Sequence, residues 1–421
     1  MTAACLVLGL VDNPAAVAAP LGAGIPGLPT GALVVGTASA TCPNPGYSSI
    51  QDAASAASAG GAIYVCPGTF TGRVTVTKQL RFLGAQFGRD ARVGRTDLGR
   101  ESVVTSPTGG FVINSGVDKV TIDGFTLRGS GSDSQNGDGI DAFNRGAGHT
   151  FVNNVFADNT NGMNINSNGS SQTTVQRNRF TANNRSGGQG GTGVTLTSGA
   201  ANNLLVSDNL FEKHDSAAFN SIGDGSNRST KLVFRNNRSV DDSSLAVVNN
   251  ASGARVENNL ATKAAALTGT GIYIVGNTDG LVVRGNQIIG GAGNGISANA
   301  AFGAGPSTKL TIEANLIKNR AGIGIRVDAA HRSVTIRGNG VFNTRANSTL
   351  PGDGIRLESP TSGLTVQGNV ALGSAAADCR DYSTGSRTAR TANNWTLDAG
   401  LKSQPKGLCV PGLSLPGVPR P

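Results

Sequence analysis

The chain has 421 residues, of which 61 are glycine, 14% are charged and 5% are aromatic. It is too long for one compact core, yet no linker divides its middle, and no run of 18 apolar residues suggests a membrane span. The net charge of +9 favours an acidic polysaccharide or a cell-wall polyanion as partner. Nucleic acid is disfavoured because no segment interleaves basic and aromatic residues.

Residues 1–40 contain "AACLVLGLV", "AAVAAP" and a Gly/Pro-rich stretch that ends near Thr37. This composition predicts a secretory signal peptide cleaved near Ala18, although the basic segment that normally precedes it is missing. We therefore expect a secreted, extracellular protein. The expected division is a leader over 1–40, a folded region over 41–400 and a Pro-rich tail over 401–421.

The segment "YSSIQDAASAASAGGAIYV" predicts a short helix followed by a strand. Ser48 or Ser49 can cap the helix, and Ile50, Ala53, Ala54 and Ala57 fall on one face. A helix at this position would cover the open end of a stacked β-structure, an edge that otherwise invites aggregation.

Downstream, runs of alternating apolar and polar residues end repeatedly in asparagine, at intervals of 22 to 31 residues. The series comprises Asn154, Asn178, Asn209, Asn236, Asn258, Asn286, Asn315, Asn339, Asn369 and Asn393. Repeated pairs of short strands predict a solenoid whose coils bury one another's apolar faces. Asparagine at the corner of each coil would adopt positive φ and form an amide ladder, and Gly124 would take this role before Phe125.

Four cysteines flank this repeat, Cys42 and Cys66 before most of it and Cys379 and Cys409 at its end. About 300 residues of rod separate the two pairs. We therefore predict a Cys42–Cys66 and a Cys379–Cys409 disulfide, one at each end. Free buried thiols are the alternative.

The stretch "SIQDAASAASAGGAIYVCPGTFTGRVTVTKQLRFLGA" resembles the opening of secreted bacterial right-handed parallel β-helix proteins. The asparagine-closed units from about Val120 to Trp395 look like the repeats of the pectate-lyase-like superfamily. This resemblance covers roughly residues 41–400. It implies an all-β, right-handed parallel β-helix of about ten to twelve coils with a short N-terminal capping helix. Function differs widely within that superfamily, so it must be argued from sites.

Alternation along the strands predicts one outward side chain per coil. The predicted positions are Asp141, Asn164, Thr195, Asn220, Ala246, Tyr273, Ser297, Arg326, Arg356 and Arg380.

An acidic cluster in the N-terminal half is the candidate catalytic site. It holds Asp138, Asp141 and His149, with Asp133 nearby and Asn164 on the next coil as a substrate-binding residue. The segment "GIDAFN" is similar to the "GFDPHE"-type motif of mannuronan epimerases and related lyases. Asp141 matches the acidic residue of that motif, but Phe143 replaces its histidine and cannot transfer a proton. The alternative is that these aspartates only cap turns.

A second cluster lies in "GIRVD" and "GIRLE", where Arg326 and Asp328 should face Arg356 and Glu358 on the next coil. Arginine forks could bind the carboxylate of a uronate substrate. The alternative is a set of surface salt bridges between coils.

Two hypotheses follow. The first is a non-catalytic module that binds an acidic extracellular polysaccharide. The second is a polysaccharide lyase or uronan epimerase, which needs a base and a cation near the reacting carbon. We expect no cofactor and no zinc-type metal site, with calcium as the one ion allowed for. The sequence does not determine the glycan or the oligomeric state.

Overall fold

A computed structural model describes most of the chain. The described residues are 25, 27–131, 137–143, 146–185, 190–196, 199–222, 227–302, 304–328, 331–413 and 416–419. The predicted signal peptide, Cys5 and Asp133 lie outside these ranges.

The described chain winds into a parallel β-helix built from three long sheets with 14, 13 and 12 strands, which correspond to about 13 coils. The predicted architecture is confirmed, but ten to twelve coils was slightly too few. The count rested on asparagine markers, and the coils before Asn154 carry none. Each strand pairs in parallel with the equivalent strand one coil away, as between Thr121–Asp123 and Thr150–Val152.

The strands of the first sheet are Leu33–Val35, Ala62–Val65, Arg81–Leu83, Thr121–Asp123, Thr150–Val152, Ser167–Gln176, Ala201–Ser207, Val233–Arg235, Arg255–Glu257, Val282–Arg284, Thr311–Glu313, Thr335–Arg337, Thr365–Gln367 and Asn394–Thr396. Those of the second sheet are Val74–Val76, Phe111–Ile113, Asp138–Ala142, Asn161–Ile165, Thr192–Leu196, Ala217–Ser221, Ala246–Asn249, Ile272–Gly276, Ile296–Ala298, Ile325–Val327, Ile355–Leu357, Cys379–Asp381 and Ser403–Gln404. Those of the third sheet are Gly68–Thr71, Ser102–Thr105, Phe125–Arg128, Val155–Ala157, Arg179–Thr181, Leu210–Glu212, Arg238–Val240, Leu260–Lys263, Gln287–Gly290, Leu316–Lys318, Gly340–Phe342 and Val370–Leu372.

Smaller elements complete the described chain. Ser229–Thr230 pairs with Ala251–Ser252, and two short 3-10 helices span Leu98–Arg100 and Thr388–Arg390. The core runs along the rod axis, because the inward residue of each strand contacts its equivalent on the next coil. Phe156, Phe180 and Phe211 show this stacking, with ring centroids 4.5 and 4.8 Å apart.

The predicted capping helix is present at Ile50–Ala56, with Ser49 as N-cap. Its buried residues Ile50, Ala53 and Ala54 join the core. Gln51 covers the edge of the second sheet, because its Oε1 accepts a hydrogen bond from Thr75 N at 2.7 Å and its Nε2 donates to Thr75 O. A side-chain amide thus replaces the backbone partner that a preceding strand would supply.

An asparagine ladder runs along the corner between the first and third sheets. Its members are Asn154, Asn178, Asn209, Asn237, Asn259, Asn286, Asn315, Asn339 and Asn369, with Asp398 at its end. Each of these oxygens accepts from the backbone N–H of the residue at the same position one coil earlier. The ladder was predicted, but Asn236, Asn258 and Asn393 were wrongly placed in it.

The strained backbone lies one residue before each ladder position, which corrects the predicted role of the asparagine. Positive φ occurs at Asn153, Arg177, Asn236 and Asn258, with values of 53–55°. Asn236 and Asn258 therefore take the strained angle and not the ladder position. At Gly124, with φ of 82°, the prediction is confirmed.

One of the two predicted disulfides is formed. Cys42 and Cys66 are bonded, with Cα atoms 5.6 Å apart. The predicted Cys379–Cys409 bridge is wrong in this structure, where both residues are free, buried thiols. Burial and the neighbouring Cys409 thiol raise the pKa of Cys379 well above its usual value. This is the free-thiol alternative that the sequence left open.

Candidate functional site

The outer face of the second sheet carries one side chain per coil in a continuous row. Its register joins Asp141, Asn164, Thr195, Asn220, Val247, Tyr273, Ser297, Arg326, Arg356 and Arg380. We call these residues the outer row. Ala246 was predicted to belong to it, but it is fully buried and its neighbour Val247 takes the outward position.

Asp138 and Asp141 share one strand of this face. Asp138 is only 2% exposed, and its Oδ1 accepts a hydrogen bond from Asn161 Nδ2 at 3.0 Å. Burial raises the pKa of Asp138 to about 8, and the charge of Asp141 acts in the same direction. Asp138 therefore holds a proton at neutral pH and can donate it.

Asp141 lies in the outer row and accepts a hydrogen bond from Phe143 N at 3.0 Å. Burial raises the pKa of Asp141, and Arg73 opposes that effect. The two aspartates thus form an interacting pair in which the buried member carries the proton.

His149 occupies a different place from the one predicted for a catalytic partner. It lies at the corner before the first sheet, is fully buried, and its Nδ1 accepts a hydrogen bond from Val120 N at 3.2 Å. Burial lowers the pKa of His149 to about 4. Among the described contacts, no hydrogen bond or ion pair joins His149 to Asp138 or Asp141. In the register of the first sheet it occupies the position of Thr173 and Leu204 in the next two coils, so the structure does not bring it to the two aspartates.

Several buried polar atoms on the second sheet have no hydrogen-bond partner among the described residues. They include Asn161 Oδ1, Thr192 Oγ1, Asn220 Oδ1, Ser221 Oγ and Asn249 Oδ1. An unsatisfied buried polar atom costs about 1–3 kcal/mol, and such atoms call for an explanation.

The C-terminal cluster assembles as its sequence pattern predicted, with Arg326 beside Arg356 on adjacent strands. Glu358 accepts from Arg326 Nε at 3.0 Å and from Arg356 Nη2 at 3.1 Å. Asp328 lies 3.2 Å from Arg326 Nη1. The Nε atom of Arg356 lies 2.7 Å from Glu358 but has no aligned acceptor. These contacts are the salt bridges that were the alternative to uronate binding.

Two members of this cluster were missed by sequence reasoning. Asp353 is fully buried and binds Arg380 Nε at 2.8 Å and Arg356 Nη1 at 3.3 Å. Tyr382 is 44% exposed, and the guanidinium of Arg356 lies 4.8 Å from its ring centre. The signal was present, because Asp353 directly precedes the quoted "GIRLE" and Tyr382 lies two residues after Arg380.

The three arginines at 326, 356 and 380 face three carboxylates, so this cluster is neutral overall. Within the described ranges, no three His, Cys, Asp or Glu side chains lie together as metal ligands. No helix in those ranges is long and apolar enough to cross a membrane.

Comparison with known proteins places the fold. Residues 227–371 match a family model described as a right-handed β-helix region. The fold is a right-handed parallel β-helix. No curated protein matches the chain.

The chain is similar to several solved structures. The catalytic domain of a GH87 alpha-1,3-glucanase, in complex with tetrasaccharides, superposes with a TM-score of 0.50 at 15% identity over 90% of this chain and 70% of that chain. A periplasmic alginate epimerase superposes with a TM-score of 0.38 at 12% identity, over 81% of this chain and 77% of that chain. A Streptococcus pneumoniae surface protein and adhesin superposes with a TM-score of 0.41 at 12% identity, over 83% of this chain and 94% of that chain. At these identities the likeness concerns the fold alone.

Proposed function

We propose that the outer row of the second sheet binds an acidic extracellular polysaccharide lying along the rod. The observation that carries this proposal is the outer row itself, which places one outward side chain on each of ten successive coils, all of them polar except Val247. A polysaccharide presents hydroxyl groups at regular intervals, and the β-helix presents one polar side chain about every 4.8 Å. Successive coils would therefore contact successive parts of one chain.

The C-terminal cluster suits the acidic part of such a ligand. Arg326, Arg356 and Arg380 lie on three adjacent coils, and the ring of Tyr382 forms an exposed platform between two guanidiniums. A sugar ring can pack on an aromatic face while its carboxylate bonds an arginine fork. A uronate carboxylate must then compete with Glu358 for Arg326, which predicts moderate affinity and strong dependence on salt.

Two further properties support an extracellular site of action. The Cys42–Cys66 disulfide is typical of oxidising compartments. The chain's net charge of +9 would attract a polyanionic glycan.

The binding test uses polygalacturonate and the double variant Asn220→Ala/Tyr382→Ala. We expect it to bind about tenfold more weakly, because a hydrogen bond and an aromatic platform are lost. The matched control is Thr311→Ala/Thr335→Ala on the first sheet, which should bind as the wild type does. Equal affinity of wild type and both double variants for the polymer would contradict the proposed site.

A second variant, Arg326→Gln/Asp328→Asn, tests whether the site recognises the carboxylate of a uronate. It removes the guanidinium of Arg326 together with one carboxylate, so the C-terminal cluster stays neutral. We expect the variant to lose the wild-type preference for polygalacturonate over its methyl-esterified form, which has hydroxyls but little charge. A preference that survives this change in a chain that also carries Lys231→Gln/Arg235→Gln/Arg332→Gln, which removes exposed cations of the first sheet, would show that Arg326 does not recognise the carboxylate.

A polysaccharide lyase or uronan epimerase is the second candidate, favoured by the Asp138–Asp141 pair. Asp141 could accept the proton α to the uronate carboxylate, and protonated Asp138 could supply a proton to the leaving oxygen as the C–O bond breaks. Absorbance of unsaturated products would reveal a lyase, and proton NMR of the sugar would reveal an epimerase. Turnover lost in folded Asp141→Asn would support this candidate, whereas binding without turnover would exclude it for the glycans tested.

A further inference from the structure

The positive charge of the chain is concentrated on a face that the outer row does not include. The face consists of the first sheet and the corner before it in five successive coils, from the strand Val233–Arg235 to the strand Thr335–Arg337. Its exposed cations are Arg228, Lys231, Arg235, Arg255, Arg284, Lys309, Arg332 and Arg337. We call these eight residues the basic strip.

Three carboxylates lie among the eight cations: Glu257, Asp279 and Glu313. The strip therefore carries an excess of five positive charges, more than half of the chain's net charge of +9. The arginine cluster on the second sheet contributes no net charge, because its three arginines face three carboxylates. The basic strip is thus the main source of the protein's positive field.

The register of the first sheet explains how the strip is built. Arg235, Glu257, Arg284, Glu313 and Arg337 occupy the same outward position on five consecutive strands. Arg284 lies 3.1 Å from Glu257, and Arg337 lies 2.5 Å from Glu313. Acids between the arginines reduce the repulsion that five like charges in line would create.

The outermost charged groups of this face are cations, because the carboxylates lie deeper than the guanidiniums. The glutamates are close to the sheet, with side chains 8% and 13% exposed, whereas those of Arg255, Arg284 and Arg337 are 45%, 44% and 58% exposed. A molecule that approaches this face therefore meets guanidinium groups before carboxylates. Lys231, Arg235 and Arg332 make no ion pair among the described residues, and Lys309 is 74% exposed.

We propose that the basic strip is a second binding surface, which takes a linear polyanion whose charges are carried on a saturated, non-aromatic backbone. Five coils at about 4.8 Å span roughly 20 Å, which suits an extended polymer better than a compact anion. A nucleic acid is disfavoured, because the outward positions of these five strands hold no aromatic ring for a base to stack on. The shared ligand chemistry is a row of carboxylates or phosphates.

The strip is distinct from the outer row in what it requires of a ligand. The outer row combines amides and hydroxyls with three arginines that are already paired to carboxylates, whereas the basic strip offers cations in excess. Inorganic polyphosphate carries charge and no sugar, so it tests the strip, and the triple variant described next separates the strip from the paired arginines of the outer row. Methyl-esterified polygalacturonate has hydroxyls but little charge, so it probes the outer row and not the strip.

The test titrates polyphosphate into the full chain and into Lys231→Gln/Arg235→Gln/Arg332→Gln. These three cations are chosen because their removal leaves no carboxylate unpaired. We expect wild-type binding that weakens as salt rises, and at least about tenfold weaker binding by the triple variant. The matched control Arg89→Gln/Arg100→Gln/Arg387→Gln removes the same charge from exposed positions elsewhere and should change affinity by less than about twofold.

Equal losses in the two triple variants would overturn the proposal, because the effect would then come from net charge and not from the strip. Absence of polyphosphate binding by the wild type at low salt would overturn it as well. Tighter binding of a single-stranded oligonucleotide of equal charge would overturn the assigned ligand class. Binding of methyl-esterified polygalacturonate reports only on the outer row, so failure there leaves the strip unaffected.

The source of the polyanion is distinguished by a second titration with polygalacturonate in the Asn220→Ala/Tyr382→Ala background. We expect residual, salt-sensitive binding in that background if the strip accepts carboxylates. If that residual binding is lost when Lys231→Gln/Arg235→Gln/Arg332→Gln is added, the binding belongs to the basic strip. Polyphosphate binding without such residual binding would restrict the ligand to phosphate polymers.

Discussion

Asp138 shows how burial between stacked coils sets an unusual charge state. Its carboxyl is buried, and among the described residues its hydrogen bond comes from the neutral amide of Asn161. Without a cation to balance it, the ionised form is disfavoured, and the pKa of Asp138 rises to about 8. The folded protein therefore binds a proton that the unfolded chain releases near pH 4.

The sign of the pH effect on stability follows from this difference. The contribution of Asp138 to stability is fully present below about pH 4 and is lost as pH rises through about 8, because the folded-state pKa is raised. We predict that Asp138→Asn flattens the decline in melting temperature between these limits, since the amide stays neutral. Calorimetry across this range measures the effect, and exposed Asp52→Asn is the control. Parallel profiles for wild type and Asp138→Asn would contradict the assignment.

His149 illustrates a residue whose chemistry is suppressed by its position. Its place in the fold is filled by Leu204 and Leu232 in later coils, so the imidazole contributes packing and one hydrogen bond to Val120 N. With a pKa of about 4, His149 is neutral at physiological pH and has no solvent access. Its presence near an acidic motif in the sequence was therefore misleading.

The asparagine ladder links coils through side chains that are satisfied at both ends. Asn286 accepts hydrogen bonds from Asn259 N and Nδ2, and its own Nδ2 donates to Val256 O and Asn315 Oδ1. Every member therefore joins three coils. Removing one leaves buried groups on two neighbours without partners.

We predict that Asn286→Ala lowers the free energy of unfolding by about 4 kcal/mol, because several buried hydrogen-bonding groups lose their partners at once. Denaturant unfolding measures the loss. The adjacent Gln287 is exposed, so Gln287→Ala should change stability by less than about 0.5 kcal/mol. Similar effects of the two substitutions would show that the ladder does not stabilise the fold.

The ladder ends on a carboxyl, which makes its last step dependent on pH. Asp398 Oδ1 accepts from both Asn369 N and Nδ2, and burial raises the pKa of Asp398 to about 6. Its contribution to stability is present below about pH 4 and is lost as pH rises through about 6. A shift of about two pKa units corresponds to roughly 3 kcal/mol.

Asp398→Asn should remove most of that dependence while keeping the acceptor for Asn369. We compare the free energy of unfolding of the variant with that of the wild type. Between pH 4 and pH 7 this comparison should shift in favour of the variant by up to about 3 kcal/mol. Thr396 N loses its Oδ2 acceptor at both pH values, so this loss lowers the stability of the variant but does not change the difference between them. The measurement is the difference in unfolding free energy between the two pH values, and an unchanged difference would refute the explanation.

The rod as a whole has unlike ends. At the N-terminal end, the Cys42–Cys66 disulfide and the helix Ile50–Ala56 close the first coils. At the C-terminal end, Val418 packs on the outside of the third sheet with Phe342 and Val370. This second closure relies on apolar contact and on free thiols, so it does not depend on a covalent bond.

Reduction should therefore loosen one end only. We predict that a reducing agent lowers amide-exchange protection in Ala62–Val65, because the bridge that restrains this end is broken. Protection in Cys379–Asp381 and in the central coils should be unchanged. Loss of protection at both ends would mean that Cys379 and Cys409 are bonded in solution.

The sequence predicted most of the outer row because strand alternation is a local property. Asp141, Asn164 and Arg326 could be placed outward from the apolar residues beside them. Ala246 failed because alanine and valine are both apolar, so alternation in "LAVV" has two registers. Asn236 and Asn258 failed for a similar reason, since paired asparagines in "RNN" and "ENN" leave the ladder position ambiguous by one residue.

Resemblance to known β-helix proteins supplied the parallel β-helix. The amino-acid sequence by itself determined the solenoid repeat, the capping helix, the Cys42–Cys66 bridge and the facing of Arg326 and Arg356. These follow from periodicity, capping and spacing, which act over one or two coils. Only the tertiary structure decided that His149 is a core residue, that Asp138 holds its proton, and that the arginines of the second sheet are neutralised. It also showed that the excess positive charge lies on the first sheet. Burial and ion pairing depend on groups brought together from different coils, and their distances are fixed only when the coils stack.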